Sequence, residues 1–203
     1  MQNKIITISR ECGSGGHMIG QKLSEKLGIP MYDKEIISMV AKEKGYTEEI
    51  IEEKGEHMTG SLLFNLATNL SQANSIISGN NVSLQDEIYF SEVKVIRELA
   101  DKGPCVIIGR CADDILKKHP NCLNVFIHAD MEFKIQRVME RDHLSREAAE
   151  KLINKRDKMR ASHYRYYTEK EWGSSPNYHL CLDSSRLGIE KCIAVIENIY
   201  QTL

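Results

Sequence analysis

Close to the start of this 203-residue chain, the stretch Ser9-Arg10-Glu11-Cys12-Gly13-Ser14-Gly15-Gly16-His17-Met18 collects residue types that suit a phosphate. Gly13, Gly15 and Gly16 let a backbone turn tightly and approach an anion closely, and Ser14 sits among them. Where such a turn joins a strand to a helix, successive N–H groups and the positive end of the helix converge on one point. A phosphate loop of the usual kind also carries a lysine followed by serine or threonine, and this stretch has neither. A lysine about 4 Å from a phosphate is worth on the order of 4 kcal/mol at an effective dielectric of 20. A helix terminus supplies only about 0.3 to 2 kcal/mol, so a bare loop does not replace that charge. Arg10 and His17 flank the glycines and are candidates for the missing cation, since a bound phosphate favours imidazolium.

A second set of candidates lies far along the chain. Residues 134–165 hold ten Lys or Arg against five Asp or Glu, although the whole chain has a formal net charge of -2. Within that segment Arg137, Arg141, Arg156 and Arg160 could close over a transferred group, and one arginine so placed supplies roughly 10³ to 10⁵ in phosphoryl-transfer rate. The plainer reading of each is a surface charge paired to a neighbouring glutamate. Helical spacing puts Arg156, Arg160 and His163 on one face. The tract His163-Tyr164-Arg165-Tyr166-Tyr167 interleaves rings and charges, which suits either base stacking or packing of the segment on the core. Arg110, closing CVIIGR, and Asp33, closing MYD, end apolar runs where an acceptor could be held; Asp33 could equally cap a helix. The six cysteines form no CxxC pair and the histidines no HExxH, so reduced buried thiols are expected and no protein-built metal site.

These residues need a scaffold. Short β-branched runs at Ile5–Ser9, Val106–Gly109, Asn124–His128 and His179–Leu182, with a fifth around Pro30–Asp33, each precede a helical pattern. Alternation of that kind predicts an α/β fold with a parallel five-stranded sheet and ligands at the carboxyl ends of its strands. A helix is expected over Ile19–Leu27, stopped by Gly28 and Pro30. The division expected is one domain over 1–203. Its core is 1–41 and 100–133, completed by 171–203; 42–99 is a helical acceptor arm broken at Ser78-Gly79-Asn80-Asn81, and 134–170 is a basic lid.

Laid end to end, these motifs resemble the cytidylate kinase-like family of P-loop nucleoside monophosphate kinases. ITIS takes the place of the first strand, Gly13 and Gly15 fall on loop glycines, and the loop reads Ser-Arg-x-x-Gly-Ser-Gly-Gly. Gly109-Arg110, NVFIHAD, Lys155-Arg156-Asp157 and HLCLDSSRLGIEKCI follow in the family's order. The resemblance implies a three-layer P-loop NTPase-like fold, ATP as donor, Mg²⁺ carried mostly on substrate phosphates, and a nucleoside monophosphate or related small acceptor. It also implies a phosphate cradle of Arg10, Gly13, Ser14, Gly15, Gly16 and His17, an acceptor site at Asp33 and Arg110, and catalysis by Arg137, Arg141, Arg156 and Arg160. Against the family pattern Gly16 takes the lysine's place and Met18 that of the magnesium-binding hydroxyl. Arg160 stands where an aspartate helps read cytosine, and an arginine accepts no hydrogen bond from the cytosine amino group.

The expected activity is therefore phosphotransfer, with a catalytically inactive nucleotide sensor as the alternative and an RNA-binding or protein-interaction module as a weaker one. Small nucleotides are the expected partners, with no membrane or nucleic acid, and a homo-oligomer is left open. The apolar run at the start is short for a signal peptide and no segment approaches a spanning helix, which predicts a cytoplasmic protein.

Overall fold

A computed structural model describes residues 3–51 and 83–203. Its centre is a five-stranded, wholly parallel sheet in the order β2-β3-β1-β4-β5. The strands are β1 (Ile5–Arg10), β2 (Met31–Tyr32), β3 (Cys105–Ile108), β4 (Cys122–His128) and β5 (Leu180–Asp183). All five expected strands are present, with ends displaced by one or two residues. The helices are α1 (Gly16–Leu27), α2 (Lys34–Lys44), α3 (Leu84–Lys102), α4 (Ala112–Ile115), α5 (Met131–Asp142), α6 (Arg146–Thr168), α7 (Ser184–Leu187) and α8 (Ile189–Thr202).

The strands read as near-continuous apolar runs because both faces of the sheet are covered. Successive β1 side chains alternate between faces. Ile5 joins Ile107 with Ile36 of α2 and Ile96 and Leu99 of α3 on one side. Ile6 and Ile8 join Ile108 and Ile127 with Ile19 and Leu23 of α1 and Cys192 and Ile196 of α8 on the other. On the Ile5 face Thr7 donates to Asn124 Oδ1 at 2.7 Å, closing the one polar pair in the buried β1–β4 register.

Two expectations about organisation change. Helix α1 starts three residues earlier than its apolar spacing suggests, at Gly16, because Gly15 in the left-handed region (φ 84°) turns the chain straight into it. Ile88, Val95, Ile96 and Leu99 of α3 pack into the sheet core, so this part of the expected 42–99 arm belongs to the core. The loop at Ser78–Asn81 and the rest of that arm from 52 to 82 lie outside the described residues.

The basic segment is a helical hairpin, α5 and α6. It has a small core of its own in Ile135, Val138, Ala149 and Ile153, and the fifth member of that cluster is Cys12 from the glycine loop. Ser145 caps α6 by accepting from Ala148 N at 3.3 Å, and Arg146 makes a two-pronged bridge to Glu132 across the hairpin. All six cysteines are unbridged and five are buried. Among the described residues no helix is long and apolar enough to cross a membrane.

Candidate active site

β1 is the central strand, and its neighbours β3 and β4 leave it in opposite directions across the sheet. A crevice at the carboxyl end of such a strand is where this architecture places ligands. Here it is a cleft of ≈ 900 Å³, floored by the 10–17 loop and roofed by α5 and α6. Among the described residues seven Lys or Arg line it against four Asp or Glu, so it is cationic in a chain whose formal charge is -2.

On the floor, Gly15 and Gly16 open α1 with no side-chain cap among the described residues and no acidic residue in the first turn. The positive end of α1 therefore faces the cleft. Gly13 is also left-handed (φ 84°), and a Cβ there would lie 2.8 Å from the Lys134 carbonyl oxygen, so the loop lies flat against α5. Ser14 departs from expectation. It is fully buried, its hydroxyl donates to Glu11 O at 2.9 Å, and its N–H donates to the same oxygen at 3.3 Å. A residue whose donors both close the turn braces the loop and is not a phosphate contact. Ser184 adds a second brace, donating to Ser14 O at 2.6 Å and His128 O at 3.1 Å.

Arg10 and His17 both reach Asp33. Arg10 Nη2 stands 3.8 Å from Asp33 Oδ1, and His17 Nε2 3.4 Å from Oδ2. Asp33 occupies the N-cap position of α2 but its side chain makes no capping bond, so it is turned to the cleft. Arg10 is largely enclosed at 13% side-chain exposure, whereas His17 is 55% exposed.

Arg110 is held differently. Gly109, Arg110 and Cys111 run consecutively through positive φ (69°, 57° and 54°), a conformation that strains the two non-glycine residues. The turn carries the Arg110 guanidinium inward to Glu92 of α3 at 2.7 Å, with both side chains buried. Sequence reasoning missed Glu92, since nothing local marks a partner on a helix 18 residues away. Arg110 still lines the inner end of the cleft.

In the roof the four arginines separate. Arg156 is exposed on α6, lines the cleft and has no ion-pair partner among the described residues. Arg137 lies over Gly15, with its guanidinium 5.5 Å from the Phe133 ring centroid and Nη2 4.0 Å from Met18 Sδ. Arg141 is bound at two points by Asp142, each at 2.7 Å. Arg160 turns away from the roof toward the loop. Its Nη1 donates to the Arg10 carbonyl at 3.2 Å and lies 3.7 Å from Asp157. His163, expected on the same face, is buried between Tyr89 and Tyr167. Tyr167 stacks on Tyr89 at 3.7 Å and Tyr164 donates to buried Asp113 at 2.6 Å, so the tract from His163 mainly packs the hairpin on the core.

A junction between loop and roof also escaped the sequence. Lys134 of α5 is 93% shielded, yet it sits 3.0 Å from Glu11 and 3.5 Å from Asp157, whose other oxygen accepts from Cys12 N at 2.7 Å. Burial raises the Asp157 carboxyl above its usual range, opposed by the Cys12 N–H and by Lys134. The only sequence signal was the Lys155-Arg156-Asp157 motif.

The family model described as the cytidylate kinase-like family matches residues 5–186. The chain belongs to the cytidylate kinase-like family. A cytidylate kinase from Methanospirillum hungatei is 29% identical over 82 residues, which is 40% of this chain and 46% of that protein. The chain thus aligns with less than half the length of that relative. Among solved structures, an uncharacterized protein from Eubacterium ventriosum is 29% identical, with a TM-score of 0.75 over 99% of this chain and all of the other. Shikimate kinase from Bacteroides thetaiotaomicron, at 13% identity and a TM-score of 0.52 over 98% of both chains, shares the fold. The uncapped glycine turn and the roof arginines both line the cleft at the carboxyl end of β1.

Proposed function

We propose that this cytidylate kinase-like chain is a nucleotide-dependent phosphotransferase, moving the γ-phosphate of ATP to a nucleoside monophosphate or related small acceptor. The observation that carries the reading is the uncapped amino end of α1 at Gly15 and Gly16, opening into a cationic cleft roofed by Arg137 and Arg156. Donor phosphates would lie on the first turn of α1, and the acceptor near Arg110 and Asp33. An acceptor oxygen attacks the γ-phosphorus, the bond to the β–γ bridging oxygen breaks, and ADP leaves with that electron pair. A monophosphate attacks through an oxygen that is already anionic, so no proton has to be removed. The roof arginines neutralise the charge spread over the transferred group.

Among the described residues no group of three or more His, Cys, Asp or Glu is arranged to hold a metal. Mg²⁺ would enter on the donor phosphates and neutralise part of their charge, and Asp33, turned into the cleft, would accept from a metal-bound water. Cytidylate is a poor candidate for the acceptor, because Arg160, where the family has an aspartate, accepts no hydrogen bond from the cytosine amino group and is drawn to the Arg10 carbonyl.

The test is an ADP-release assay with Mg-ATP against a panel of nucleoside monophosphates and small phosphorylatable metabolites, beside thermal shift on the same ligands. Release that depends on acceptor supports the kinase. Stabilisation by ATP with no release under any acceptor would replace it with the nucleotide sensor, and silence in both would remove nucleotide binding altogether.

A further inference from the structure

The geometry points to Arg10 as the phosphate-binding cation of this loop, replacing the lysine from the end of β1, with Gly16 and Gly109 kept bare to make room for it. This rests on the reading of the loop as a triphosphate site. Gly16 is the first residue of α1 and its φ is ordinary, so the backbone there would accept any side chain. The obstacle is Arg10. A Cβ at position 16 would lie 2.5 Å from the Arg10 Cβ and 3.0 Å from its Cγ. A lysine at position 16 and the arginine at position 10 therefore exclude one another unless the Arg10 stem moves.

At its far end the same side chain crosses Gly109, where a Cβ would lie 2.1 Å from Nη1. Arg10 thus runs from the first turn of α1 to the end of β3 with its guanidinium against bare backbone. Its carbonyl is fixed by Arg160, and Asp33 stands 3.8 Å from the guanidinium, within ion-pair distance. The other cations near the loop are less suited. His17 is more than half exposed, and Arg137 belongs to the roof and approaches from the Gly15 side. An arginine stays charged at any physiological pH, and its planar fork matches phosphate oxygens at two points.

Binding of Mg-ATP, and separately of inorganic tripolyphosphate, would be measured by calorimetry on the full chain and four variants: Arg10→Ala, Arg10→Gln, Gly16→Lys, and Arg10→Ala with Gly16→Lys. Circular dichroism and melting of each variant would confirm its fold. Removal of the charge should weaken both ligands about 10²- to 10³-fold, and Arg10→Gln, which keeps most of the stem, gives the same reading should the alanine variant fail to fold. Gly16→Lys alone should bind more weakly than wild type because the two side chains collide. In the double variant the lysine occupies the vacated space and should recover at least about tenfold over Arg10→Ala. Wild-type affinity in folded Arg10→Ala or Arg10→Gln, or a folded double variant no better than Arg10→Ala, would overturn the assignment while leaving the functional reading intact. Failure of wild type to bind either ligand would overturn both.

Discussion

Arg156 is the roof residue whose charge is least committed. Arg141 is clasped by Asp142, and Arg160 by Asp157 and the Arg10 carbonyl, whereas Arg156 is exposed on the cleft wall. An arginine that engages only the transferring group acts in the transition state, so Arg156→Ala should lower kcat by about 10³-fold. Its effect on the Kd for ATP should stay within about threefold. Equal losses in rate and affinity would make it a ground-state contact. The residues around it show how far sequence reaches. That Gly15, Gly16 and His17 form a strand-to-helix turn lining the cleft was legible, because a glycine turn announces its backbone geometry locally. The neutralisation of Arg110 by Glu92 was not, because it depends on which helix long-range packing brings within 3 Å, and the turning of Ser14 onto the Glu11 carbonyl was not, because the residue type alone leaves open which way the hydroxyl points.

At the scale of elements the sheet was readable, since strands buried on both faces have to be short and apolar. The loop–roof junction was not, because the types of Glu11, Lys134 and Asp157 are ordinary surface types and only their meeting is unusual. Lys134 compensates two carboxylates in a space where all three side chains are mostly buried, with exposures of 25%, 7% and 17% in that order. Removing the cation leaves Glu11 and Asp157 facing each other, and breaking a buried ionic cluster by deleting one member costs about 3 to 5 kcal/mol. Lys134→Met should therefore destabilise by about 3 kcal/mol in urea unfolding. Adding Asp157→Asn should recover part of that loss, because one of the stranded charges is gone. A cost below about 1 kcal/mol, with no coupling between the two sites, would mean that water enters the junction and that α5 is held to the loop by Cys12 and its apolar neighbours instead.

For the whole molecule, the buried group that couples folding most directly to pH is Asp113. It lies at the start of α4, just after the strained Gly109–Cys111 turn, and accepts the Tyr164 hydroxyl at 2.6 Å, joining α4 to α6. Desolvation pushes its carboxyl up to about 6, with the Tyr164 hydrogen bond pulling the other way. The folded chain therefore holds this proton more tightly than the unfolded chain, whose carboxyl titrates near the ordinary value of 3.8. Below that value both states are protonated and the site costs nothing. As pH rises from about 4 through about 6, the unfolded state releases its proton first, and stability falls. Above 6 the penalty is complete, at about 3 kcal/mol for a shift of some two units. Asp113→Asn keeps an acceptor for Tyr164 and removes the ionisation. It should melt higher than wild type at pH 8, by several degrees for a chain of this size, with the gap closing as pH falls below about 4. Melting curves of the two proteins at half-unit steps from pH 3.5 to 8.5 read this directly. A difference that stays constant across the range would locate the effect in packing or hydrogen bonding, whereas the predicted slope confined to pH 4 to 6 ties it to the cost of burying the ionised Asp113 carboxylate.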